Sequence, residues 1–357
     1  MFLLSSFFFF YFAGVGVYII FLPKILQNVG YLSYEIGIVF SIVPLMRFLT
    51  PFLFLKIFTL SKKVFKLSLL VSFICVGLLF FTIHNFYLLS VDIAFFGMAN
   101  ALVMPYVDAI ALEKLKNSYG KSRLWGSLGF MIVGLVLAKF FTGYKIGLWF
   151  YLVIAFMVTL FGYIISKRSS EFNLKKDNLS VKFDMLKHWH FWISIFLVQL
   201  SFGIFYSFFT IYENSHGISI EQISYLWSLS IVCEIAMFIF QERLLKLNLA
   251  KVIKFAIFVT TLRWFLLYLF PSFLVVVSLT QTFHAISFAL FHSATIVYLY
   301  RLYKQKKLAM QFYHGISYGL GGFAGSLLGG YFYGEYIFLI ASFIALIALI
   351  LAPNSSV

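Results

Sequence analysis

Six charged side chains lie where the surrounding sequence is apolar: Arg47, Asp92, Asp108, Arg123, Glu234 and Arg263. An arginine in low-dielectric surroundings grips a carboxylate with two parallel hydrogen bonds, which makes Arg47, Arg123 and Arg263 candidate clamps for an organic anion. A carboxyl group held away from water can take up and release a proton near neutrality, so Asp108 and Glu234 are candidate proton carriers. Further along, Gln281, His284, Ser287, His292 and Thr295 recur at steps of three to five, as one broad helical stripe. Gln311, His314, Ser317 and Tyr318 do the same on the next run. Histidine is the side chain most easily moved through neutral pH, so His284 beside Glu234 or Arg263 is a candidate proton relay. Each of these residues also has a structural reading, as ion pairs and interhelical hydrogen bonds that hold helices together. For Asp92, His292 and His314 the structural reading is the simpler one. The two cysteines, Cys75 and Cys233, build neither a disulfide framework nor a metal site, and no thiolate or carboxylate cluster accompanies the histidines. No metal and no cofactor are expected.

The elements that must position these residues are membrane spans. Of 357 residues, 62% are hydrophobic and 11% charged, against about 45–50% and about 25% in a soluble domain. This composition excludes a water-soluble enzyme and a disordered chain. A helix crosses the ~30 Å hydrocarbon core in about 20 residues. Twelve such runs are present, at 2–23, 34–56, 64–84, 86–112, 121–142, 145–166, 188–211, 219–240, 251–270, 272–299, 308–331 and 333–352. They are continuous rather than alternating, which disfavours a β-barrel. The first run has no basic flank and no small-residue cleavage site, and reads as a retained span. The fold expected is an all-α polytopic membrane protein with twelve transmembrane helices.

Lysine and arginine set the orientation. The loops after the even-numbered spans and the segment after span 6 carry 22 of them, and the opposite side carries only Lys24, Lys139 and Lys145. That asymmetry places both termini in the cytoplasm. It also accounts for the net charge of +15 without a nucleic-acid partner. Arg123 opens span 5, where the positive end of the helix dipole disfavours a cation. It therefore needs an anion, and Asp108 ends the preceding span at similar depth.

The chain repeats itself. A polar linker, 167–187, separates a six-helix half at 1–166 from another at 188–357. A shift of 187 lays Ser41 on Ser228 and Arg47 on Glu234, and a shift of 188 lays Lys63 and Lys66 on Lys251 and Lys254. Parallel six-helix halves of this kind build major-facilitator transporters. Gly321, Gly325 and Gly329 at steps of four let another helix approach closely, which is packing rather than chemistry.

The segment Tyr119-Gly120-Lys121-Ser122-Arg123-Leu124-Trp125-Gly126-Ser127-Leu128-Gly129-Phe130 resembles the opening of span 5 in the phenylpropionate permease family, a bacterial branch of the major facilitator superfamily. The likeness extends to Phe21-Leu22-Pro23, Arg47-Phe48-Leu49, Pro105-Tyr106-Val107-Asp108-Ala109, Tyr225-Leu226-Trp227-Ser228-Leu229, Glu234 and Arg263-Trp264. More distantly, the span-5 stretch is similar to the oligosaccharide–proton symporters. The resemblance implies that Asp108 and Arg123 bind the substrate together and that Phe130 stacks on it. It also places Glu234, Arg263 and His284 on those symporters' later glutamate, arginine and histidine. Ser287 stands where the symporters carry their proton-handling glutamate, so any proton coupling here must fall to Glu234 or Asp108. The superfamily's Gly-Asp-Arg loop is not recognisable over 56–66.

The function expected is secondary active transport of a small organic solute, with an aromatic or other carboxylic acid as the first candidate, by proton symport with alternating access. A sugar or nucleoside symporter and an exporter of the same fold are the alternatives. A polytopic membrane enzyme is more remote, because no cluster of catalytic side chains gathers at one membrane face, and the chain is expected not to be an enzyme. No Walker-type loop suggests an ATP-driven pump. The partners expected are the solute, protons and the lipid bilayer of a bacterial inner membrane, with no nucleic acid, and the protein is expected to work as a monomer.

Overall fold

The structure is a computed structural model that describes residues 1–57, 60–168 and 185–354, without the side chains of residues 52–57, 117 and 307. Of the linker expected over 167–187, residues 169–184, with Lys175, Lys176 and Lys182, lie outside the described residues, as do the side chains of Lys56 and Lys307. The chain divides into two compact units, Met1–Leu179 and Ser180–Val357.

In the first unit, six helical runs follow one another: α1 Phe2–Val29, α2 Ser33–Ile57, α3 Lys62–Thr82, α4 Phe86–Leu115, α5 Tyr119–Phe140 and α6 Tyr144–Arg168. The second has α7 Leu186–Ser215, α8 Ile220–Phe240, α9 Leu249–Leu269, α10 Leu274–Leu302, α11 at 306–331 and α12 Ile337–Leu351. No strand occurs among the described residues. Ten of the runs are long and apolar enough to cross a membrane. The two outside that count are α11, whose apolar run is interrupted by Gln311, His314 and Ser317, and α12, which has 15 residues. The twelfth run was expected to begin at 333, but a turn that closes from Ile337 N–H onto the Gly334 carbonyl delays the helix to Ile337.

Local sequence explains where helices start and stop. Asn85 and Asn248 cap α4 and α9 by accepting backbone N–H groups of the first turn. Ser219 and Gln222 form a reciprocal capping box at α8. α1 was expected to stop at Pro23 but runs on to Val29. A π-helical turn at Val17–Phe21 precedes the proline, and a wider turn accommodates its missing N–H. Gly30 then ends α1 with φ 108°, and Gly217 ends α7 with φ 91°. Both caps make the same pair of hydrogen bonds: Gly30 N–H to Gln27 and Tyr31 N–H to Leu26, Gly217 N–H to Asn214 and Ile218 N–H to Glu213. The two glycines are 187 residues apart, the shift that aligns Ser41 with Ser228.

Each unit packs its first helix closely against its fifth. In the first unit a Cβ on Gly129 would meet the Phe9 carbonyl, and one on Gly126 would lie 2.6 Å from the Phe12 ring. In the second, a Cβ on Gly325 would meet the Leu200 carbonyl, and one on Gly203 would lie 2.9 Å from the Gly322 carbonyl. Ser5–Ser122 at 2.9 Å and Ser207–Ser326 at 2.8 Å tie the same two seams. The glycines at 321, 325 and 329 are thus the close-packing face of α11 against α7.

Candidate functional site

The first unit gathers Asp108, Arg123 and Arg47 around α1. Asp108 on α4 accepts a hydrogen bond from the Tyr119 hydroxyl at 2.8 Å. Arg123 Nε, on α5, stands 3.8 Å from the same Asp108 oxygen, with 34% of the arginine and 28% of the aspartate side chain exposed. The guanidinium lies over the Phe12 ring at 4.3 Å and near the Phe8 ring at 5.2 Å, both on α1. Stacked aromatic faces attract a cation and leave its edge donors available. Arg47 on α2 is exposed and faces Tyr11, which also lies within electrostatic reach of Arg123 and Asp108. Phe130, seven residues beyond Arg123 on α5, is buried, and its backbone packs on Gly16 of α1.

The second unit builds a tighter network. Arg263 on α9 is fully buried. Its Nη1 lies 2.9 Å from His284 Nδ1 and donates to Ser287 at 3.3 Å, and its Nη2 donates to Gln281 at 2.9 Å. Its plane stacks on Phe205 at 4.5 Å and Trp264 at 4.6 Å. On the other side of the imidazole, His284 Nε2 stands 3.3 Å from Glu234 on α8. Guanidinium has donors and no acceptor, so Nδ1 must present its lone pair to Arg263, and the proton then sits on Nε2, toward Glu234. His284 is thus a neutral wedge between a cation and an anion. Its side chain is 3% exposed, and that of Glu234 is 15% exposed. A π-helical turn at Ala285–Leu290 begins directly after His284, and such turns are frequent at functional sites.

Of the residues singled out in the sequence, the structure brings Asp108 to Arg123 and Glu234 to His284 and Arg263. It places Arg47 beside Tyr11, and it seats Phe130 against α1. Ser287, in the position where a glutamate was sought, accepts from Arg263. Asp92 stands apart from these groups. It is buried and accepts from Thr82 at 3.0 Å, with Cys75 and Tyr151 lining the same small void. The residues that sequence reasoning missed are Phe8, Phe12, Tyr11 and Tyr119, aromatic side chains in a chain with 48 Phe and 22 Tyr. No spacing rule distinguishes Phe8, Tyr11 and Phe12, since only the close α1–α5 seam puts them beside Arg123, whereas Tyr119 stands four residues before Arg123 on α5, a spacing that could have found it.

Apolar helices of membrane-spanning length, in two compact units that each hold a polar network, define a polytopic membrane protein. The chain belongs to the MFS_1 like family, which it matches over residues 1–345. It is 25% identical over 371 residues to the "Probable 3-phenylpropionic acid transporter" of Escherichia coli (strain K12), covering 97% of this chain and 96% of that one. In fold it is similar to the nucleoside transporter NupG, with a TM-score of 0.81 at 15% identity over 98% of this chain and 96% of that one. It is also similar to the POT family transporter PepTSo, with a TM-score of 0.76 at 11% identity over 98% and 95%. The kinship with the phenylpropionate permeases and the major-facilitator fold expected from the sequence are both shown.

Proposed function

We propose that this transporter carries a small organic carboxylate, an aromatic acid first among them, together with a proton across the bacterial cytoplasmic membrane by alternating access. The observation that carries this reading is Arg123. It is held by Asp108 and by two aromatic rings, yet a third of its side chain is open. Such a group offers a carboxylate its free donors and offers an aromatic ring a neighbouring face. Asp108 competes with the carboxylate of the solute for it, so loading the solute displaces one anion with another. Arg47, beside Tyr11, is a second arginine within reach of that site. Arg263 is enclosed, and in this reading it holds the coupling network in place.

Glu234 is the proton carrier. With Arg263 donating to Nδ1, His284 has no lone pair left for a second proton. The free acceptor in the network is the carboxylate, which is also its most exposed member. The lipid bilayer, protons and the solute are the partners, the monomer is the working unit, and both termini face the cytoplasm. The chain catalyses no reaction.

The test is uptake of labelled 3-phenylpropionate into proteoliposomes under an imposed inward proton gradient, with sugars and nucleosides as competing solutes. Accumulation that a protonophore collapses supports the reading. Accumulation that ignores the gradient removes the symport, and accumulation of a nucleoside or sugar instead replaces the solute.

A further inference from the structure

Asp92 is an acid that the proposed transport does not use. It lies on α4, roughly 24 Å along the helix axis from Asp108. Only 5% of it is exposed. None of the ion pairs among the described residues includes it. Its Oδ1 is buried and makes no hydrogen bond among them. The void that Asp92 shares with Cys75 and Val76 of α3, Phe96 of α4 and Tyr151 of α6 has no room for a water molecule. An ionised carboxylate here would have neither a cation nor water to offset its charge, and a buried charge without compensation is neutralised by taking up a proton.

The other oxygen shows where that proton goes. Asp92 Oδ2 stands 3.0 Å from Thr82 Oγ1, and the same Oγ1 stands 3.1 Å from the Leu78 carbonyl, one turn back on α3. A hydroxyl has one proton and donates once. With the carboxyl ionised, Thr82 serves either Asp92 or Leu78, and the other contact is two oxygens facing each other with no proton between them. With a proton on Oδ2 the first contact reverses: Asp92 donates to Thr82, Thr82 donates to Leu78, and both are hydrogen bonds. The turn holds Thr82 in this place, because its carbonyl accepts the Asn85 N–H at 2.9 Å and Asn85 in turn caps α4. Further along the same seam, Asn100 of α4 donates to Ser72 of α3 at 3.1 Å. That pair is neutral, and protonated Asp92 with Thr82 makes a second neutral pair between the same two helices.

We propose that Asp92 is a second proton-binding site of this transporter, separate from Glu234, and that its proton ties α4 to the end of α3 through Thr82. The inference depends neither on the role of Glu234 nor on the identity of the solute. The titratable groups that face Asp92 are Cys75 from α3 and Tyr151 from α6, and neither supplies a positive charge. From α2, Val43 and Met46 pack on Gly97, while Arg47 faces Tyr11 and Glu35 accepts the Leu32 N–H. From α1, the Tyr18 ring lies against Phe96. Thr82 is half-buried and is the last residue of α3, so the proton enters from water and returns to it at the α3–α4 turn. In the topology proposed above, that turn is at the outer face. When the proton leaves, the Thr82 hydroxyl swings from Leu78 to the carboxylate. Water can reach Oδ1 only if the void widens, so release of the proton loosens the packing of α3, α4 and α6 around it.

The experiment is infrared spectroscopy of the full chain in vesicles at neutral pH, without solute, with the side-chain carboxyl carbons of aspartate labelled with 13C. The chain has four aspartates, and the label separates them from the glutamates. The site predicts a protonated-carboxyl stretch that shifts on labelling, disappears in Asp92→Asn and gives way to a carboxylate stretch as the pH is raised. Thr82→Val should keep the band and move it to higher frequency, because the acid loses its acceptor, and Thr82→Ser should return it. The labelled wild type and the two Thr82 variants carry the test if Asp92→Asn does not fold. If no protonated aspartate is present, or its band persists unchanged in Asp92→Asn, Asp92 is ionised and the site is overturned. A band that Thr82→Val leaves in place overturns the bridge to α3.

Discussion

Arg263 Nη1 and His284 Nδ1 stand 2.9 Å apart, and that contact fixes which nitrogen of the histidine carries the proton. Nδ1 faces a group that only donates, so the proton points at Glu234. In 15N spectra of histidine-labelled protein, His284 should remain the Nε2–H tautomer across neutral pH. Replacing Arg263 by Gln should release it to a mixture of forms.

The two arginines should fail in different ways. Arg123→Gln should abolish uptake with little change in thermal stability, because the side chain is a third exposed and its ion pair is long. Arg263→Gln should also abolish uptake but lower stability by about 3 kcal/mol, because it removes the buried donor of His284 and Ser287 and leaves Gln281 with the Ser230 hydroxyl alone. Melting curves of the purified variants in detergent, beside their uptake rates, separate the two.

Asp108→Asn should retain solute binding and slow turnover. Without the aspartate charge, Arg123 holds the solute carboxylate with no anion to displace it. The expected readout is a lower KM for 3-phenylpropionate with a kcat reduced by about tenfold, the equivalent of about 1.4 kcal/mol. A raised KM would instead make Asp108 a direct ligand of the solute.

Glu234→Gln should separate exchange from accumulation. Exchange of labelled for unlabelled solute needs no net proton movement and should persist. Uphill accumulation should disappear, and the dependence of transport on pH should flatten. Comparing both rates in the same proteoliposomes checks this directly.

The seam glycines should be intolerant of any side chain. Gly325→Ala and Gly129→Ala put a methyl against a backbone carbonyl that cannot rotate away, at a cost of roughly 1–3 kcal/mol. Gly30→Ala meets no neighbour, but its φ of 108° strains an L-residue by about 1 kcal/mol. The expected order of destabilisation in thermal melts is the seam glycines first, Gly30 second.

The sequence by itself determined the membrane class, the runs that become helices and the residues that carry charge within them. Apolar length and the distribution of lysine and arginine are properties of the chain read along its length, and the bilayer turns them into helices whatever the neighbours are. The 187-residue shift was legible in Ser41 and Ser228 and was sharpened by the matched caps at Gly30 and Gly217. Phe8, Phe12 and Tyr11 were not legible, since nothing but a close helix seam selects them from 48 Phe and 22 Tyr. The tautomer of His284 and the exposure that separates Arg123 from Arg263 were decided by tertiary structure. Each depends on which face a helix turns inward, and a single π turn shifts that face by one residue in a way that 3.6-residue periodicity does not predict.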